Sequence, residues 1–216
     1  MRPVTLSALG LFLLTAVPVM AQDLLVYGGG TVEMLFDPNA DGSGNETSLT
    51  SYIEAERLGF YGGVGVKIVD DHTADEINPY IGYRGDNGAG FSYGIVYTYY
   101  GLPNSADADY SELNLNFGKT LGDKASVSAD FNYYPDDSTK SAYVGAEYYP
   151  TDKITLSANY GTYDVFEAAS EREWDLGIGY NITDEAAAEL RYYDGSEYVD
   201  SYIGLTISFD TTLLGR

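Results

Sequence analysis

The chain has 216 residues, of which 33 are acidic and 11 basic, so its formal net charge at pH 7 is −22. A charge of this sign argues against nucleic acid as a partner. The chain has no cysteine, which excludes both a disulfide scaffold and a cysteine-linked lipid anchor. Tyrosine is the dominant aromatic residue, with 22 copies against one tryptophan. Because tyrosine suits a membrane–water interface, this composition makes a membrane a candidate environment.

Residues 1–21 form a predicted secretory signal peptide that is cleaved on export. They begin with one positive charge at Arg2, continue through the apolar run 6–19 and end in a small residue, Ala21. The apolar run is too short to cross a bilayer, and no later segment approaches the roughly 20 apolar residues of a membrane helix. We therefore expect an exported single domain over residues 22–216, with 10 basic and 33 acidic residues and a net charge of −23.

From residue 48 onward, apolar and polar residues alternate over stretches of about ten residues, each ending in a turn cluster. In one such stretch, Val127 and Phe131 alternate with Ser128 and Asp130, and side chains two residues apart share a face of a strand. Repeated stretches of this kind are typical of an all-β, antiparallel up-and-down transmembrane β-barrel. The predicted strands are 24–36, 48–57, 60–69, 77–84, 91–100, 110–119, 125–134, 141–149, 154–163, 173–181, 186–193 and 199–209. Twelve is an even number, as single-chain bacterial barrels have.

A soluble β-sandwich is the alternative fold, because it shows the same alternation with its apolar face turned inward. The export signal and the many tyrosines at strand ends favour the barrel. The connections after the odd-numbered strands are mostly long and acidic, whereas the others are short. Long outer loops and short periplasmic turns are the expected polarity of a barrel whose termini both lie in the periplasm.

Several short segments occur in a fixed order along the chain. They are GFYGG at 59–63, EINPYIGYR at 76–84, GFSY at 90–93, YTYY at 97–100, DYSE at 109–112, SVSAD at 126–130, YYPD at 133–136, Thr-Asp turns at 151–152 and 183–184, and LRYYD at 190–194. Their order resembles the TorF-type porin family of Gram-negative outer-membrane barrels over about residues 59–209. The resemblance implies a porin in the cell outer membrane, in contact with outer-membrane lipid and lipopolysaccharide.

The first and the last strand of the predicted barrel are considered separately. At the start, Tyr27 is followed by three glycines instead of the family's Tyr-x-Phe-Arg-Gly-type strand, which leaves the first hairpin undetermined. At the other end, the pattern Tyr202-x-Gly204-x-x-Ile207-x-Phe209 resembles the terminal-strand signal read by the barrel-assembly machinery. Residues 210–216 follow this signal as a tail.

Charged residues on the polar strand faces are predicted to line a lumen, because a charge facing lipid at mid-bilayer costs about 2–4 kcal/mol. The candidates are Glu54, Glu56, Lys67, Arg84, Glu112, Asp130, Glu147, Glu173, Asp175, Glu189 and Arg191. Their three basic side chains could instead close a network that plugs the barrel. Twelve strands lie between a filled barrel of about eight and a wide one of about sixteen, so both remain open. An open lumen with this acidic excess should prefer cations.

The loop 37–46 places oxygen-bearing side chains at Asp37, Asn39 and Asp41, with a glycine at the sixth position, as calcium loops do. It has Ser48 where a calcium loop has its twelfth-position Glu. The same residue types are common in exposed hairpin loops. We therefore expect an ordinary loop, with bound Ca²⁺ or Mg²⁺ as the alternative and no other cofactor.

No catalytic residue is predicted. His72 is the single histidine and follows two aspartates, but a general base needs an oriented partner and a nucleophile or water in reach. The glycines at 28–30 lack the Lys-Ser/Thr of a phosphate loop. We therefore expect a protein that is not an enzyme.

The sequence thus predicts a monomeric outer-membrane pore for the passive diffusion of small hydrophilic solutes, with a preference for cations. The alternative is a non-conducting structural or adhesive barrel whose acidic loops bind divalent cations and bridge lipopolysaccharide or a partner. The two differ in whether the lumen conducts ions.

Overall fold

The computed structural model describes residues 24–38, 45–70, 72, 74–105, 108–164, 170–196 and 201–215. These residues form twelve strands: β1 (Leu25–Phe36), β2 (Glu46–Arg57), β3 (Phe60–Val69), β4 (Glu76–Asp86), β5 (Phe91–Tyr100), β6 (Tyr110–Thr120), β7 (Ala125–Tyr134), β8 (Thr139–Thr151), β9 (Ile154–Tyr163), β10 (Glu171–Asn181), β11 (Ala186–Gly195) and β12 (Tyr202–Leu214). Each strand pairs antiparallel with its neighbours in sequence, and β1 pairs with β12. The predicted twelve-strand antiparallel barrel is confirmed.

The outer surface of the barrel is apolar and the inner surface is polar. In β2, for example, Leu49 and Ile53 are 49% and 50% exposed. Glu54, which points to the opposite face of the same strand, is 2% exposed. Val69 is the only buried apolar side chain among the described residues. A sandwich would bury its apolar faces against each other, so the sandwich alternative is wrong. Within the described part of the chain, no helix is long and apolar enough to cross a membrane.

The two ends of the barrel differ in their connections. At one end, which we name the loop end, the connections are mostly longer. They are 37–45, 70–75, 101–109, 135–138, 164–170 and 196–201, and parts of them lie outside the described residues. The connections at the turn end are 58–59, 87–90, 121–124, 152–153 and 182–185. At the tightest of these, Leu58 and Gly59 have φ angles of 54° and 81°. Two consecutive positive φ values match the two-residue turn that suits the twist of a hairpin.

Strand β1 closes the barrel although it contains three consecutive glycines. Its residue Gly29 pairs with Tyr52 of β2 on one side and with Asp210 of β12 on the other. The Tyr52 hydroxyl donates to Asp210 Oδ1 at 2.7 Å, passing over β1. A Cβ at Gly29 would lie 2.7 Å from Cε1 of Tyr52, so only glycine leaves room for this bond.

The last strand differs from its predicted bounds of 199–209. It continues to Leu214, and its final residues pair with β1 across a register shift between Val26 and Tyr27. The predicted tail is therefore partly strand. The predicted first residue of this strand, Val199, lies outside the described residues.

Several inward glycines face a tyrosine on the neighbouring strand. Tyr61 pairs with Gly82 and Tyr80 with Gly63. Tyr143 pairs with Gly161 in the same way. A Cβ built on any of these glycines would overlap the partner's ring. The ring covers the backbone that the glycine leaves bare, an arrangement that compensates for glycine in a strand. These tyrosines consequently lie against the wall of the barrel.

Candidate functional site

The eleven side chains predicted to line a lumen all lie on the strand faces opposite the exposed apolar side chains. In the turn half of the barrel are Glu54, Glu56, Arg84 and Glu147; near the middle are Asp130, Asp175, Glu189 and Arg191; and in the loop half are Lys67, Glu112 and Glu173. Their role in lining a conducting pore stays a prediction.

The first of two arginine clusters lies on β2 and β4. Arg84 donates from Nη2 to Glu54 Oε1 at 2.6 Å and from Nε to Glu56 Oε2 at 2.9 Å. Its guanidinium also lies 4.5 Å from the centre of the Tyr61 ring. Two carboxylates share one guanidinium, so the cluster keeps one negative charge. Bonds of this charge-assisted kind are about twice as strong as neutral ones.

The second cluster surrounds Arg191 on β11. Arg191 donates from Nε to Glu189 Oε1 at 2.7 Å and from Nη2 to Ser157 Oγ at 2.8 Å, and it forms an ion pair with Asp175. A Cβ at Gly177 would lie 2.8 Å from Nη2 of Arg191, so this glycine makes room for the guanidinium. The cluster again has two carboxylates for one arginine.

The wall formed by β6 and β7 is different, because its polar groups are carboxylates and amides. Asn114 donates to Asn132 Oδ1 at 2.6 Å, and Asn116 donates to Asn114 Oδ1 at 3.0 Å. Glu112 and Asp130 face the lumen from the same strands, and neither forms an ion pair with a basic side chain that the structure describes. Lys119 of β6 is exposed on the opposite face of its strand, so the inner faces of β6 and β7 carry no basic side chain. We call these two inner faces the cation-free wall.

The remaining predicted residues have weaker partners. Lys67 lies 3.9 Å from Glu46, at the limit of an ion pair. Glu147 accepts a hydrogen bond from Ser126 Oγ at 3.0 Å and one from the Tyr149 hydroxyl.

The described polar contacts inside the barrel follow its wall. Arg84 of β4 bonds to β2, Arg191 of β11 bonds to β9, and Tyr52 of β2 bonds to β12. Each of these bonds joins strands two places apart in the ring of strands. The described hydrogen bonds and ion pairs therefore do not form a network across the lumen.

Further inward carboxylates were missed by the sequence prediction. Glu76 and Glu171 are buried at the first positions of β4 and β10, and they were missed because those strands were predicted to begin at 77 and 173. Glu33 faces inward opposite Ser48 and Thr206, in a strand whose glycines conceal the alternation. In each case the carboxylate lies an even number of positions from other inward-facing residues of its strand, and this spacing could have predicted its orientation.

Many tyrosines lie inside the barrel rather than at the membrane interface that their type suggested. Those on the inner face near the loop end are Tyr100, Tyr110, Tyr134, Tyr143, Tyr163, Tyr193 and Tyr202. Tyr100 and Tyr110 stack with ring centres 4.5 Å apart, and Tyr193 and Tyr202 lie 4.8 Å apart. The loop half of the lumen is consequently lined by aromatic rings as well as by carboxylates.

The predicted calcium loop falls mostly outside the described residues. Asp37 is described, whereas Asn39 and Asp41 are not. Across the ranges that the structure describes, no three His, Asp or Glu side chains are arranged to hold a metal ion. Binding of Ca²⁺ or Mg²⁺ by this loop stays a prediction.

His72 lies in a hydrogen-bonded cluster between two loops at the loop end. Its Nδ1 is 3.1 Å from Asp75 Oδ2, and Asn104 of the next long loop donates to the same oxygen at 3.0 Å. This arrangement gives the exposed histidine a structural role in joining the β3–β4 and β5–β6 loops. Its predicted companion Asp71 lies outside the described residues.

The β5–β6 loop is held at its end by Asp109. The Tyr99 hydroxyl donates to this carboxylate and the Leu102 amide donates to it at 2.8 Å. Both bonds favour the ionised carboxylate, and the bond from Tyr99 has the larger effect. Together they lower the pKa of Asp109 below the usual value of an aspartate.

Comparison with known proteins gives structural similarity only. No family model matches the chain, and no curated protein matches it in sequence. The KdgM porin has a TM-score of 0.65 at 12% identity, with 87% of this chain and 98% of that chain covered. The NanC porin has a TM-score of 0.60 at 9% identity, covering 88% and 100%. An outer membrane channel from Pseudomonas putida F1 has a TM-score of 0.57 at 10% identity, covering 92% and 100%. At these identities, the similarity shows a porin-like fold.

Proposed function

We propose that this chain is a pore in the outer membrane through which small hydrophilic solutes diffuse passively. The observation that carries the proposal is that the polar contacts described inside the barrel follow the wall, as at Arg84 and Arg191. A plug would need contacts across the lumen. The apolar outer surface suits lipid, and the porin-like fold and the TorF-type sequence resemblance favour the same function.

The proposed pore prefers cations. Each arginine cluster keeps an excess carboxylate, and the described ion pairs leave Glu112 and Asp130 without a basic partner. Burial at a low-dielectric wall makes such charges act strongly on ions in the lumen. Cations would therefore be concentrated and anions repelled.

The same charges set this chain apart from one of its structural neighbours. The KdgM porin is known in complex with disordered oligogalacturonate, a chain of sugar acids. An acidic lumen would repel such a ligand, so we propose neutral and cationic solutes here. The proposal is thus that a similar fold serves solutes of a different charge.

The proposed location brings two partners. The apolar outer surface would contact outer-membrane lipid and lipopolysaccharide, and the barrel-assembly machinery would recognise the pattern from Tyr202 to Phe209 in β12. Divalent ions bound by the acidic loops would strengthen the contact with lipopolysaccharide. Removal of Ca²⁺ and Mg²⁺ by a chelator tests this last point, because a pore whose conductance does not change has no functional need for them.

The test is the conductance of residues 22–216, refolded in detergent and inserted into a planar bilayer with a salt gradient across it. We expect discrete current steps and a reversal potential of the sign that cation preference gives. A reversal potential of the opposite sign would refute the preference while leaving the pore. Folded and inserted protein without current steps would refute the pore and favour the structural or adhesive barrel.

A further inference from the structure

The carboxylate of Glu173 is buried in the loop half of the lumen, and no described ion pair gives it a basic partner. The residue is 5% exposed, and both of its carboxylate oxygens are buried without a hydrogen bond of normal geometry to any described residue. An ionised carboxylate in such a place is costly unless a positive charge or a donor compensates it. Arg191 of the neighbouring strand β11 is already bound to Asp175 and Glu189.

Tyrosines from three other strands lie near this carboxylate. The hydroxyls of Tyr143 on β8, Tyr163 on β9 and Tyr202 on β12 all interact electrostatically with Glu173, and that of Tyr143 lies beside it. Tyr193 packs against Tyr202 from β11. We call these four residues the tyrosine layer.

The cross-strand register explains why the rings can approach Glu173. Its direct neighbours are Gly161 on β9 and Gly195 on β11, so no side chain stands beside it on either strand. The ring of Tyr143 occupies the space over Gly161. The four tyrosines are half-buried, so they form part of the lumen surface, whereas Glu173 is buried.

We propose that Glu173 and the tyrosine layer form a binding site for organic ammonium ions that enter the lumen, which rests on the proposed function. The faces of tyrosine rings attract weakly hydrated cations. The buried carboxylate of Glu173 near these rings would add to this attraction, because the surrounding dielectric is low. A small metal ion would need a set of converging oxygen ligands, and the described residues provide no such set.

The probe is choline, and the matched control is 3,3-dimethylbutan-1-ol, which has the same shape without the charge. Isothermal titration into the folded barrel in detergent measures binding without requiring conduction. We expect choline to bind at least about fivefold more tightly than the neutral alcohol, a difference in the range of one cation–π contact. Equal binding of the two, or no binding of choline, would overturn the proposal.

Three variants test the residues named. Glu173→Gln removes the charge, and Tyr143→Leu removes a ring; each should weaken choline binding about fivefold or more. Tyr143→Phe keeps the ring and should bind choline within about twofold of the unmodified chain. Heat-modifiable migration on a gel confirms that each variant is folded.

The matched control variant is Glu147→Gln. It removes the same charge from an inward position of β8 in the turn half, far along the lumen from the tyrosine layer. We expect it to leave choline binding nearly unchanged. If Glu147→Gln and Glu173→Gln weaken binding equally, the effect is general attraction by an acidic lumen and the proposed site is wrong.

Conductance separates this proposal from the proposed function. Current steps without choline binding would overturn the ammonium site and leave the pore. Choline binding to a barrel that does not conduct would leave the site and overturn the pore. In a conducting barrel, choline added on the loop side should reduce the current at lower concentration than choline added on the turn side.

Discussion

The two sides of the lumen hold their carboxylates in different ways. On β2 and β4, Arg84 binds two carboxylates through short, directional bonds, so half of their charge is neutralised within the wall. On the cation-free wall, Glu112 and Asp130 lie among asparagines and tyrosines that donate hydrogen bonds but bring no charge. We therefore expect the first arrangement to contribute mainly to stability and the second mainly to the field in the lumen, so that the same residue type would serve two purposes.

Removing the guanidinium of Arg84 should have the largest effect. Arg84→Met leaves the buried Glu54 and the half-buried Glu56 without their partner. Loss of one partner of a buried ion pair costs about 3 kcal/mol or more. Urea unfolding in lipid vesicles measures the free energy of unfolding. The control is Arg57→Met, because Arg57 is exposed at the end of β2, and its loss should change stability by about 0.5 kcal/mol or less. Equal effects of the two variants would contradict the stabilising role given to the Arg84 cluster.

The substitution Gly161→Ala tests β9, a strand that belongs to neither of these two regions. The new methyl group would overlap the ring of Tyr143, and overpacking of this kind costs about 2 kcal/mol. Gly65 is a matched inward glycine, since the nearest atom to an added Cβ is 3.8 Å away. Gly65→Ala should therefore be tolerated in the same unfolding experiment. A tolerated Gly161→Ala would show that the ring of Tyr143 is free to move away from the wall.

Neutralising the cation-free wall should change ion preference rather than stability. Glu112→Gln combined with Asp130→Asn removes two lumen charges that have no arginine partner, so the cation-to-anion permeability ratio should fall by roughly twofold. The reversal potential in a salt gradient measures this ratio.

The control for this double variant is Asp152→Asn with Asp184→Asn, which removes two exposed charges from connections at the turn end, outside the strands. Its reversal potential should stay nearly unchanged. A similar shift in both double variants would mean that the total charge of the protein, rather than the wall, sets the preference.

The smallest effect is expected above the cation-free wall, in the β5–β6 loop. The pKa of Asp109 is lowered in the folded protein. Its bonds to Tyr99 and Leu102 are therefore intact at any pH above 3.8, the ordinary pKa of an aspartate, and are lost as the pH falls through the lower pKa of the folded state. The NMR shift of the Leu102 amide should therefore titrate with a midpoint below 3.8. In Asp109→Asn this titration should be absent. A midpoint above 3.8 would contradict the bonding described.

Much of the barrel was predictable because period-two alternation marks each strand directly. The bounds of β3, β5, β7 and β9 agree with those predicted, and the parity of the apolar residues also placed the charged side chains on the inner face. Tyrosine was harder to place, because its ring suits the lipid face and its hydroxyl suits the lumen. The pairs such as Tyr143 with Gly161 depend on the register between strands, which alternation within one strand does not specify.

The bond from Tyr52 to Asp210 bears on how the barrel keeps its strands aligned. A glycine-rich strand such as β1 offers few side chains to oppose sliding, and a slip by two residues would still keep every residue on its proper face. The side chain of Tyr52 crosses β1, and its hydroxyl bonds to Asp210 of β12. This bond fixes β2 and β12, the two neighbours of β1, relative to each other. Strand β1, which has few side chains of its own to fix its register, is thus held in place by a hydrogen bond between its two neighbours.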